Sequence, residues 1–262
     1  MSNHKRRTVL KTVGGVAVVG TLAGCAGNGD GSESTPESTP EPMDEPTPEP
    51  TDEPEETPEA DAALRVAHLS PDAPNVDVYV DGDAVLEDVP FRAVSDYLDL
   101  PADEYDVMIT AAGDMDTIVF DETLEVPAGE FTAAALGELA EENQPFAVEV
   151  YEDDVSSPEG MSRVRLVHAS PDAPNVDVTV DGEPLFEDVP FGGAGTVEVP
   201  ADEYELEVRP ATENNDGDVV ATFDLAPEAA TVYTAFAVGY LAPDDAPADE
   251  PFDLEVVVDS EA

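Results

Sequence analysis

A chain of 262 residues with 62 acidic against 9 basic side chains carries a formal charge of −53 at neutral pH. That excludes nucleic acid and anionic lipid surfaces as partners, because both are polyanions. The only cysteine is Cys25, so no disulfide forms within the folded part and stability must come from packing.

The N-terminus reads as an export signal over residues 1–24. Lys5, Arg6, Arg7 and Lys11 precede a small apolar run, 13–22, that closes on Leu22-Ala23-Gly24-Cys25. The run is shorter than a membrane-spanning helix needs. Arg6 and Arg7, followed by Thr8-Val9-Leu10-Lys11, resemble the twin-arginine translocation motif, with Lys5 where Ser or Thr is usual and Val9 where Phe is usual. The resemblance implies export of an already folded protein. Leu-Ala-Gly-Cys resembles a lipobox, which implies cleavage before Cys25 and a lipid on its sulfur. The expected location is the cell membrane, lipid-anchored and facing outside.

Residues 25–62 are rich in Pro, Glu, Thr and Ser and lack apolar periodicity, the composition of a disordered acidic stalk. In polyproline geometry, at about 3.1 Å per residue, it reaches on the order of 100 Å. Its threonines are candidate O-glycosylation sites. Beyond the export signal, the 62 acids face five arginines and no lysine. Such like charge repels itself in dilute buffer and is screened in molar salt, where the Debye length is about 3 Å. The composition resembles that of extreme halophile proteins.

From residue 63 the pattern changes to short apolar alternation broken by Pro, Gly and Asp. It predicts strands over 64–69, 76–80, 105–110, 117–124, 131–139 and 146–151, with a weaker one over 94–100. Val76, Val78 and Val80 are expected on a buried face, and Asp77, Tyr79 and Asp81 on a wet one. The order then repeats over 164–169, 176–180, 204–209, 219–225, 232–241 and 252–258. Two domains follow, 63–153 and 161–260. Short strands, regular turns and no helical period predict an all-β chain of two tandem β-sandwiches, immunoglobulin-like or transthyretin-like.

The duplication is sharpest in AHLSPDAPNVDVYVDG, residues 67–82, against VHASPDAPNVDVTVDG, residues 167–182. EDVPF and PADEY are also shared, ending at Phe91 and Phe191 and at Tyr105 and Tyr204. His68, Ser70 and Asp72, like His168, Ser170 and Asp172, superficially offer hydrolytic chemistry. Triad members converge from separate elements, however, and neighbours on a strand point in alternating directions. No Gly-x-Ser-x-Gly elbow accompanies them, so no catalytic residue is assigned.

The prolines fix the crossing between two strands, Ser70, Asp72 and Asn75 hold its turn, and the histidines bond a carbonyl or Asp72 at the rim of the core. Asp81-Gly82 and Asp181-Gly182 fit type I′ hairpin turns. Asp72, Asp77 and Asp81, with Asp172, Asp177 and Asp181, could offer oxygen to a cation. They lack the calcium-loop spacing with its closing Glu, and neither metal nor cofactor is assigned.

The long motif, followed by Val-Pro-Phe and then Pro-Ala-Asp-x-Tyr, resembles the family of domain of unknown function 4397, over about 64–152 and 163–259. The resemblance implies an exported β-rich domain, often in tandem and often on a cell surface, with no established activity. Gly192-Gly193-Ala194-Gly195 departs from Arg92-Ala93-Val94-Ser95, so the two loops need not act alike. The expected function is a non-enzymatic surface protein that binds a protein or glycan partner in the cell envelope or organises that envelope. A metal- or carbohydrate-binding accessory lipoprotein is the alternative, and a hydrolase comes third.

Overall fold

The computed structural model describes residues 61–261. The export signal with Arg6 and Arg7, the lipidation position Cys25 and all but the end of the stalk lie outside them. The first repeat contains β1 (Ala62–His68), β2 (Val76–Val80), β3 (Asp83–Val89), β4 (Leu98–Leu100), β5 (Asp103–Ala111), β6 (Asp114–Val126), β7 (Gly129–Leu136) and β8 (Ala147–Asp153). The second contains β9 (Ser162–His168), β10 (Val176–Val180), β11 (Glu183–Val189), β12 (Ala194–Val199), β13 (Tyr204–Pro210), β14 (Ala221–Leu225), β15 (Val232–Val238) and β16 (Asp253–Ser260). The described part is all-β apart from a short 3-10 turn at Pro243–Asp245. None of its helices is long and apolar enough to cross a membrane.

Each repeat is a sandwich of two four-stranded sheets. The outer sheets run β3-β2-β5-β6 and β11-β10-β13-β14, the inner ones β4-β1-β7-β8 and β12-β9-β15-β16. In the inner sheets β1 pairs with β7, and β9 with β15, in parallel. Parallel strands tend to be covered on both faces, and these four are. Leu64, Val66, Phe131, Ala133 and Ala135 face the core of the first sandwich, with Val76, Val78, Val107 and Ile109 opposite or beside them. Val164, Leu166, Ala235 and Ala237 do the same in the second.

The alternate residues form a third core between the two repeats. Ala67, Leu69, Ala134 and Leu136 pack there with Val167, Ala169, Phe236 and Val238, all sealed from solvent. The four sheets therefore stack as outer, inner, inner, outer. Burying the five larger side chains of that middle layer contributes about 1.5–3 kcal/mol each before entropy. The small residues of Phe131-Thr-Ala-Ala-Ala-Leu follow from this, since a strand packed on both sides has little room for bulk.

Both parallel strands stop at a glycine, Gly137 or Gly239, with φ of +84° and +79°. A side chain at either would collide with the carbonyl of Pro145 or Pro251. The predicted strand ends at 139 and 241 are shortened accordingly. Alternation alone gave no sign of β3, β11 and β12, which are missing from the predicted elements. The first two are mostly exposed edge strands with two register shifts each, which breaks their period. The third begins in a glycine run. The wet face predicted for β2 is corrected at two positions: Asp77 and Tyr79 are buried, while Asp81 is exposed.

Candidate functional site

The repeated motif supplies a framework in each sandwich. His68 and His168 end the inner strands β1 and β9 and are 1% and 0% exposed. Nε2–H of each ring donates to the carbonyl of Pro74 (3.1 Å) or Pro174 (3.0 Å), which fixes the tautomer because a carbonyl only accepts. Phe91 and Phe191 pack edge-on against the two rings. Loss of water lowers both imidazole pKa values, and the proline carbonyl only partly opposes this. Neither ring reaches a serine hydroxyl as a base would.

The carboxylates are equally engaged. Asp72 accepts the N–H groups of Leu139 and Ala140, both at 2.8 Å, and Asp172 those of Leu241 and Ala242, both at 2.9 Å. Each thus ties its crossing loop to the segment that follows the central parallel strand. Ser70 and Ser170 are buried, and their hydroxyls lie 3.4 and 3.3 Å from Asp72 and Asp172. Asp77 accepts from the N–H groups of Asp88 and Gly113, and Asp177 from those of Asp188 and Thr212. The Gly113 and Asp88 bonds, in that order, hold the Asp77 pKa below the usual carboxylate range.

Asn75 and Asn175 donate to Asp88 and Asp188 at 2.8 Å. Asp88 and Asp188 themselves sit at φ +55° and +50°. The two shared phrases Asn-Val-Asp and Glu-Asp-Val-Pro-Phe are therefore the halves of one fastening. Asp81-Gly82 and Asp181-Gly182 turn with positive φ at both residues, the type I′ geometry. Asp72, Asp77 and Asp81 do not share a point in space, and no cluster of three or more metal-ligating side chains occurs among the described residues.

The densest polar group lies elsewhere, at the junction of the repeats. Arg65, on β1 of repeat one, reaches Asp259 of repeat two at 2.7 Å, and Arg165 of repeat two reaches Asp153 of repeat one at 2.5 Å. Thr132 and Thr234 donate to Asp153 and Asp259, each at 2.6 Å, and accept from the guanidinium groups. The four charged side chains are almost completely buried. Arg65 also stacks 4.9 Å above Tyr97, whose hydroxyl donates to Asp153. Burial and that bond raise the Tyr97 pKa well above the ordinary phenol value. The pairing is reciprocal: Arg65 corresponds to Arg165, Thr132 to Thr234 and Asp153 to Asp259, so the repeats meet about a pseudo-twofold axis.

Two contacts break that symmetry. Arg92 adopts φ +70°, the conformation of its glycine counterpart Gly192. Its guanidinium binds Asp253 at 2.6 Å and the Pro251 carbonyl at 2.8 Å, both in repeat two. On the other side the Tyr151 hydroxyl donates to the Gly192 carbonyl at 3.0 Å. Its pKa is pushed up to about 12, by burial first and then by Glu149. Three of the five arginines in the described part thus join one repeat to the other. The sequence carried a signal for the buried pair, since an arginine occupies the same place in both copies of a core strand.

The loop departure noted in the sequence has a packing cause. Phe186 is buried where repeat one has Leu86. A Cβ on Gly195 would come within 3.0 Å of the Phe186 ring, whereas Ser95, its counterpart, accepts a hydrogen bond from the Val66 N–H.

The model of domain of unknown function 4397 matches twice, over residues 62–179 and 162–261. The chain belongs to that family. The tandem, β-rich arrangement is the one that the family resemblance implied, and the β-sandwich is the one that the short strands and regular turns predicted. No curated protein matches the chain. Among solved structures, the Bacillus anthracis TIE protein is similar at 14% identity, over 69% of this chain and 34% of that one, with a TM-score of 0.23. A family 26 carbohydrate-binding module of Eubacterium rectale Amy13K, in complex with maltoheptaose, is similar at 11% identity, over 76% of this chain and 97% of that one, with a TM-score of 0.24. Superpositions this loose carry no argument about either protein's activity.

Proposed function

We propose that this chain is a lipid-anchored, non-enzymatic surface protein whose tandem domains bind a partner in the cell envelope or organise that envelope. The observation behind this reading is the use made of the motif. In both copies its histidine is sealed and bonded to a carbonyl, and its aspartates are filled by backbone N–H groups. Groups that hold a scaffold in this way are poor candidates for a turnover site. The anchor and stalk read from the sequence support an outward-facing placement. Fastening of the two repeats to each other presents their outer sheets and edge strands together.

Chemical crosslinking on intact cells, followed by purification of the chain, tests the reading. The expected result is an envelope component crosslinked to residues of 63–260, with Cys25→Ser releasing the chain into the medium. Hydrolytic turnover by the purified chain, lost on substitution of a motif residue, would overturn it.

A further inference from the structure

The edge strands carry a feature that the scaffold does not use. β16 closes one side of its inner sheet and pairs only with β15, which leaves the backbone groups of its far edge without a neighbouring strand. Edge strands are ordinarily guarded by Lys, Pro or a bulge. β16 has no Lys or Pro, and the one register shift of its ladder with β15 is confined to its end, between Val232 and Tyr233, leaving the ladder regular from Tyr233 and Val258 onward. Val256 and Val258, side by side on one face of the strand, are 37% and 50% exposed. Val257, between them, points into the inter-repeat core.

The order Glu255-Val256-Val257-Val258-Asp259 reads the same by chemical class in both directions. Laid antiparallel on a second copy with Val257 opposite Val257, it brings Val256 against Val258 on both sides of the axis. The like-charge pairs in that register are Glu255 with Asp259. The carboxylate of Asp259 is turned inward and paired with Arg65, and Asp253, farther along, is paired with Arg92. The local repulsion is therefore muted, and the long-range repulsion between two polyanions is what salt screens.

We propose that β16 is a homodimerisation edge, with a second copy of this chain as its partner. The two inner sheets join across a twofold axis into one continuous sheet, an isologous contact that closes on itself. A cationic strand on the same edge would show the opposite salt dependence, being released as salt rises.

Light scattering after size exclusion, on the full-length chain carrying Cys25→Ser, measures this in dilute and in molar sodium chloride. The expected mass is that of one chain in dilute salt and of two in molar salt. Val256→Asp/Val258→Asp should return the molar-salt species to one chain, with the strand signal in circular dichroism retained. The paired change Ile118→Asp/Val150→Asp, at exposed positions of repeat one, should leave two. A single-chain mass in all conditions, or a dimer indifferent to the β16 substitutions, would overturn the proposal.

Discussion

Replacing Arg65 by Met removes one half of a buried ion pair and leaves the other half in place. At the 2.7 Å separation of Arg65 and Asp259, and at an effective dielectric constant of about 20, the attraction is about 6 kcal/mol before desolvation. Desolvation cancels much of that, so the pair itself adds little net stability. Asp259 then stays buried, with the Thr234 hydroxyl as its donor. Stranding a charge in this way costs about 3–5 kcal/mol, a large share of the roughly 5–15 kcal/mol that holds a domain folded.

The double change Arg65→Met/Asp259→Leu removes both charges and should recover most of the loss. Urea unfolding in a fixed molar concentration of sodium chloride, followed by tyrosine fluorescence and far-ultraviolet circular dichroism, measures both variants. Because the middle core belongs to both repeats, the two signals should change together in the parent chain. A loss below about 1 kcal/mol for Arg65→Met, the size of an exposed pair, would refute the reasoning. So would a double variant as unstable as the single one.

Gly195→Ser should destabilise by about 1–3 kcal/mol through crowding of Phe186. Adding Phe186→Leu should restore stability, since Leu86 and Ser95 coexist in repeat one; urea midpoints of the three variants check this. Arg92→Gly relieves a left-handed backbone that costs about 1–2 kcal/mol, while both Arg92→Gly and Arg92→Ala lose the half-exposed bond to Asp253. The glycine variant should therefore unfold at the higher urea concentration. Burial lowers the pKa of His68 and His168 in the folded chain relative to about 6.5 in the unfolded one. Their stabilisation is complete above about pH 6.5 and declines as pH falls from there through the folded values. Imidazole titration by NMR should find both rings still neutral at pH values where an ordinary imidazole, with a pKa of about 6.5, is protonated, and ordinary titration of both rings would sink the argument.

The amino-acid sequence by itself determined the repeat, the all-β class and the hairpin turns. Each rests on local chemistry: alternating valines on a pleated strand, prolines that fix φ, and Asp-Gly pairs that accept positive φ. Edge strands β3 and β11 escaped because exposure and register shifts erase the period that marks a half-buried strand. Burial of Asp77 was equally hidden, since its partners are N–H groups more than ten residues away.

What only the tertiary structure decided is where the second face of each inner sheet goes. Strands such as Leu64-Arg65-Val66-Ala67-His68 show an arginine on the side away from their own core, which taken alone reads as a solvated residue. Its carboxylate partner comes from the other repeat, almost 200 residues away, so the pattern of either strand alone could not reveal that the side is buried; only the recurrence of the arginine in both copies hinted at it. Packing of the two repeats made Arg65, Arg165, Asp153 and Asp259 one neutral group, and turned two similar domains into a single stacked body.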